Sequence, residues 1–305
     1  STAMGYGTEA SGDRSTAFGQ YTLASGDDST AMGYGTEASG DRSTAIGQIT
    51  EASGSGSTAM GTGTVASSQN STAMGYSTTS SGNASIAMGY ETTASGLAST
   101  AMGRGTVASE QDSTALGYYT TASGAGATAI GENTTASGVL STAMGVNTKA
   151  SDRSSLVIGE YNLTGSTVTS SATEFSLDNT AFVIGNGTVS NKSDAFVVKF
   201  NGDATLAGSM TATSFIGDGS QLTNLPFSYN SNEAGGIEVA NYTTASGSNA
   251  FAVGNDNLAS GSSSTAMGRG TIASGNDSTA LGAITQASGN NSTAIGANTE
   301  ASGNS

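Results

Sequence analysis

A 14-residue period runs through this chain and constrains its fold more than any other feature. Units begin at Ser1, Ser15, Ser29, Ser43, Ser57, Ser71, Ser85, Ser99, Ser113, Ala127 and Ser141 with no insertion or deletion, and a twelfth at Ser155 starts well and then fades. A second array runs from Ala250, Ser264, Ser278 and Ser292, after a degenerate unit from Gly236. The unit reads S-T-A-Φ-G-x-x-T-x-A-S-G-x-x, with Φ apolar. A fixed period of this kind marks a solenoid, in which each repeat is one structural unit stacked on the next. With 45 glycines and only 10% charged residues the composition alone suggests disorder. A disordered linker, however, has no reason to hold such a register.

The unit divides into two sevens, each read as a five-residue strand followed by a two-residue corner. Side chains alternate along a strand, so one face collects Ser1, Ala3, Gly5, Thr8, Ala10 and Gly12, all of them small. Small residues on both strands allow close approach and predict a flat, narrow coil with two strands per turn. Successive coils then stack by parallel hydrogen bonds at about 4.8 Å, making the eleven regular coils a rod roughly 50 Å long. Ser1 and Thr8 recur on the inner face, where hydroxyl ladders along the stack are expected.

The fourth position of each unit is apolar throughout: Met4, Phe18, Met32, Ile46, Met60, Met74, Met88, Met102, Leu116, Ile130, Met144 and Ile158. The second array adds Val239, Val253, Met267, Leu281 and Ile295. Alternation points these side chains out of the coil, forming one apolar row along the rod. A core of Ala and Gly offers little apolar area, whereas each row residue contributes roughly 1.5–3 kcal/mol if buried. The expectation is that copies of the chain pack their rows around a shared axis. The competing arrangement is a single-chain solenoid with the row folded inward. Positions 9 and 11, mostly Glu, Thr, Val and Ser, suit solvent.

The S-T-A-M-G run at 29–33 and the A-S-G corner at 38–40 resemble the S-V-A-I-G and A-x-G pattern of trimeric autotransporter adhesin heads, at the same period. The resemblance covers the first eleven units and the last four to five. It implies an all-β, left-handed parallel β-roll (a β-solenoid of 14-residue coils) intertwined as a homotrimer, so the partners implied are two further copies. It also implies an extracellular, bacterial cell-surface location. Thr at position 2, where the family has Val, gives the row a more polar edge. Neither a heptad stalk nor a membrane barrel is present, and the chain begins and ends on repeat boundaries, which suggests a piece of something longer.

The period breaks over about 160–235. Apolar runs at 181–184 and 195–200 read as strands, and Asn201-Gly202 followed by 203–207 reads as a hairpin. Residues 212–226 resemble a connector of phage tail fibres, which offers a tail-fibre shaft or receptor-binding segment as the alternative function. The expected organisation is a first roll over 1–159, an irregular β connector over 160–235 and a second roll over 236–305.

With no His and no Cys the chain lacks the usual zinc ligands, general base and thiol nucleophile, and cannot form disulfides. Net charge is −15, from 8 Lys and Arg against 23 Asp and Glu, which argues against nucleic acid and anionic membrane surfaces as partners. No apolar run approaches the ~18 residues of a membrane helix. No catalytic residue, cofactor or metal site is expected. Gly217-x-Gly219 lacks the context of a phosphate loop, the acids Asp13, Asp27, Asp28 and Asp41 read as solvated corners, and no carboxylate pair stands out for glycan hydrolysis. Thr2 and Thr8 lie on opposite faces and make no ice-binding row. Tyr6, Tyr21, Tyr34, Tyr76, Tyr90, Tyr118 and Tyr119 fall at variable corner positions. They either cover neighbouring rings or face a receptor, a host surface protein or glycan. The function expected is non-enzymatic, multivalent attachment by a rigid fibre.

Overall fold

The computed structural model describes residues 1–163, 171–211, 228–229, 237–239 and 243–304. The chain divides into two compact units, Ser1–Thr211 and Ala212–Ser305. The connector-like stretch 212–226 lies outside the described residues.

In the first unit each of the first eleven coils contributes one long strand, such as Thr2–Tyr6, Thr16–Gln20 and Thr30–Tyr34, and one short strand, such as Glu9–Ala10, Leu23–Ala24 and Glu37–Ala38, and the twelfth adds the long strand Leu156–Glu160 alone. Each long strand pairs in parallel with the next at an offset of one repeat, Ala3 on Ala17 and Met4 on Phe18. The result is a β-solenoid with one sheet of 15 strands and another of 11. The interior is built from Ala at positions 3 and 10, fully buried from Ala17 and Ala24 onward, with Ser at position 1 and Thr at position 8 beside them.

Three expectations about the coil are corrected. The second strand has two residues, not five, because the chain turns immediately afterwards: Ser11 and Gly12 both donate to the carbonyl of Ala24, and Ser15 N–H closes back on Gly12. Gly5 and its equivalents are not inner-face residues. From Gly5 to Gly145 they hold φ between +123° and +134°, and a Cβ there would lie 1.7–2.1 Å from the carbonyl oxygen of the coil above. Glycine is required at that position by backbone geometry and axial stacking. Nor do the hydroxyls form ladders. The Oγ1 atoms of Thr22, Thr36, Thr50 and Thr64 are buried without a partner, whereas Ser15 and Ser85 donate to their own corner carbonyls, Gly12 and Gly82, at 2.7 Å. Coils about 4.8 Å apart hold equivalent hydroxyls beyond the ~2.8 Å of a hydroxyl hydrogen bond.

Both corners use a left-handed residue, at position 7 (Tyr21, φ 55°; Ile49, φ 52°) and at position 14 (Arg14, φ 54°; Leu140, φ 58°). Each corner also bonds to the coil below, as Tyr21 N–H does to the Tyr6 carbonyl at 2.9 Å and Asp28 N–H to Asp13 at 2.8 Å.

The first solenoid ends on a built cap. Thr180–Asn186 adds to the long sheet in parallel, Ile158 on Ile184 and Gly159 on Gly185. Asp194–Lys199 then reverses the direction, and Ala204–Leu206 pairs antiparallel beyond the Asn201-Gly202 turn, so the expected hairpin is present. Val157 and Val183 replace position-3 alanines in the core, and the buried carboxylate of Asp152 accepts Thr180 N–H at 2.8 Å. Asn162 closes the short-strand sheet.

The second unit repeats the coil. Its sheets have six and five strands, and Ile237–Val239 pairs in parallel with Phe251–Asn255. Asn257 occupies position 8 here. It donates to the carbonyls of Val253 and Gly268 at 2.8 and 2.9 Å and accepts from Thr271 N–H and Oγ1 at 2.9 and 2.8 Å.

Candidate functional site: the apolar row and the tyrosine clusters

The ladder register superposes position 4 of successive coils, as in Met60, Met74, Met88, Met102 and Leu116. The alanine before each, at position 3, is fully buried, so the position-4 side chain points outward. Ile46, Met60, Met74, Met88, Leu116, Ile130 and Ile158 are half-buried, Met102 is 38% exposed, and the end-coil residues Met4 and Ile295 reach 59% and 64%. An arrangement with the row folded into its own coil is therefore excluded. The row also reaches further than the periodic sequence indicates, since Ile184 sits in register above Ile158.

The seven tyrosines gather into two exposed groups. Tyr21 meets Tyr6 edge-on at 5.4 Å and Tyr34 at 6.0 Å. In the second group Tyr76 stacks face to face on Tyr90 at 4.9 Å, and Tyr118 meets Tyr119 edge-on at 4.5 Å. Arg104 joins these pairs, its guanidinium 5.3 Å from the Tyr90 ring centre and 5.5 Å from that of Tyr118. Position-by-position reading missed Arg104, although it occupies position 6 between Tyr90 and Tyr118. Tyr21 and Tyr119 lean over Gly7 and Gly105, where a Cβ would come within 2.9 and 2.5 Å of their rings. The tyrosines thus cover one another while keeping open edges. The charge of Glu91, followed by partial burial, raises the Tyr90 phenol above its ordinary value.

The corner acids form ladders of their own. Asp27 accepts Asp13 N–H at 2.9 Å and Asp41 accepts Asp27 N–H at 3.3 Å, and Asn276, Asn290 and Asn304 do the same in the second unit. Arg14 donates to both carboxylate oxygens of Asp28, at 2.5 and 2.6 Å, and holds that carboxyl below its usual range. Among the described residues no group of three or more acids is arranged to hold a metal ion.

A family model described as the YadA head domain repeat (2 copies) matches residues 1–22 and 24–48, overlapping windows from 52–78 through 136–160, and further windows from 245–271 through 287–305. These matches span well over half of the chain. The chain belongs to the YadA head repeat family. Comparison with curated proteins finds no match. Membership of the YadA head family accounts for the tandem β-roll and makes this an adhesin-like chain of the kind carried on bacterial surfaces. No described helix is long and apolar enough to cross a membrane.

Proposed function

We propose that this chain is a non-enzymatic segment of a homotrimeric bacterial surface fibre, attaching its bearer to a host cell, matrix or glycan surface. One observation supports this above the others: an unbroken apolar row stands on the outer face of a solenoid whose own interior is alanine, serine and threonine. Such a row left in water is an aggregation hazard. Packed around an axis with two further copies, each side chain contributes up to roughly 1.5–3 kcal/mol. A stiff trimeric rod then presents every surface feature three times, so weak contacts add through linkage. In this proposal the tyrosine clusters are the receptor-facing surface, since exposed rings give contact area at low ordering cost.

Sedimentation and melting of the chain with Met60→Asp and with Glu51→Lys test the assembly. Glu51 lies on the short-strand face, so its variant is expected to remain a trimer, whereas Met60→Asp shifts toward monomer and melts lower. A monomeric parent chain, or equal melting of the two variants, overturns the assignment of the row. For attachment, Tyr76→Ser with Tyr118→Ser is expected to weaken binding to host cells without changing the trimer. Undiminished binding removes the tyrosines from that role.

A further inference from the structure

We infer that the apolar patch capping the first solenoid is where copies of this chain lock their axial register; this rests on the reading that copies associate through the position-4 row. The row alone is a poor ruler. Met74, Met88 and Met102 occupy three successive coils, and the neighbouring position 2 is Thr through most of the roll. A chain displaced by one coil therefore sets methionine beside methionine from Met60 to Met102 and one apolar residue beside another over the rest of the roll, losing contacts only at the ends.

The pattern changes where the period breaks. Position 2 becomes Leu156, with Phe182 and then Val198 in register above it. Position 4 continues as Ile158, Ile184, Phe196 and Leu206. The residues between them, Val157, Val183 and Val197, turn to the core, so these two columns stand on the outer face. Phe182 and Phe196 meet edge-on at 6.3 Å, and Leu156 and Leu206 are exposed. A single apolar column flanked by threonine thus widens into two apolar columns over four strands.

The occupant that fits is a second copy of this chain. The patch continues the row without a step, and neither column carries a charge, so the face can pack on itself. Cyclic symmetry about an axis along the row sets equal residues at equal height. In register, patch meets patch. After a slip of one coil Leu156 and Ile158 of one chain face Thr142 and Met144 of its neighbour, Phe182 faces Leu156 instead of its own equivalent, and the two patches overlap over one strand fewer, returning apolar area to water on both.

The absence of cysteine gives a clean test. Chains of residues 1–305 carrying Met102→Cys are refolded with chains carrying Leu116→Cys and oxidised. A disulfide requires Cα atoms about 4.4–6.8 Å apart, so a mixed 102–116 bond reports chains slipped by one coil. With the patch intact, bonds between like positions are expected and the mixed product stays at background. With Phe182→Ser, Phe196→Ser and Leu206→Ser added to both chains, trimers persist by sedimentation and the mixed product rises about tenfold, the change given by ~1.4 kcal/mol. Should that variant lose its β-sheet signal by circular dichroism, Phe196→Thr, which keeps a strand former on the outer face, carries the same expectation. Trimers of the patch variant that stay in register, as they would if the patch served a different protein, overturn the register lock alone. A monomeric chain with its patch intact overturns the row assignment and the lock together.

Discussion

The side-chain amide of Asn162 stands in for a strand, accepting the backbone N–H of Lys149 at 2.8 Å and donating to the Lys149 carbonyl at 3.1 Å. Lys149–Ala150 is the last strand of the short-strand sheet, so this amide closes a ladder that otherwise ends on unpaired backbone groups. Replacing it as Asn162→Ala leaves a partly buried N–H and carbonyl without this partner and is expected to lower stability by about 1–3 kcal/mol. Denaturant unfolding measures this, and an unchanged midpoint contradicts the capping role.

Position 8 offers a paired test of polar satisfaction. Thr64 buries a hydroxyl with no partner, and so does Thr78 above it. In the second unit Asn257 at the same position serves both the N–H and the hydroxyl of Thr271. Asn257→Thr is therefore expected to destabilise by about 1–2 kcal/mol, and Thr64→Asn to stabilise, since it offers Thr78 the same two bonds. A lower melting temperature for Thr64→Asn would show that the first roll lacks room for the amide.

Ile49 sits at a left-handed corner with φ of 52° while 61% exposed. A β-branched residue in that conformation costs roughly 1–2 kcal/mol and little of its apolar surface is recovered here. Asn133 and Asn147 take the same position with φ of 51° and 52°. Ile49→Asn is expected to raise stability by up to about 1 kcal/mol. A drop on chemical denaturation would mean that the packing of the Ile49 side chain outweighs the strain.

The Tyr90 phenol is raised above its ordinary 10.0 chiefly by the charge of Glu91. Its contribution to stability is fully present below the unfolded-state value and is lost as pH rises through the higher folded-state value. Ultraviolet titration of the phenols is expected to show Tyr90 ionising above its ordinary value, and Glu91→Gln to move that step down. No movement in the variant would assign the shift to burial.

Much of this architecture was legible because a parallel stack converts sequence period into spatial neighbourhood. Once residues fourteen apart are superposed, Ala17 must fall above Ala3, Phe18 above Met4, and the alternation of buried Ala with outward Met follows. The tyrosine groups could be located in the same way, though not their ring geometry or the part played by Arg104.

What the repeat could not reveal is set by backbone arriving from elsewhere. Gly5 looks like an inner-face residue until the carbonyl of Gly19 is seen where its Cβ would be. Asn162 looks like a failed Thr until its amide is found bonded to Lys149. Ile184 joins the row although it lies 26 residues beyond Ile158. By itself the sequence determined the coil, its register and the outward row, because those depend only on side-chain alternation and a constant repeat. The tertiary structure decided the strand lengths, the glycine requirement and the caps, because hydrogen bonds and close contacts between coils depend on where each neighbouring backbone comes to rest.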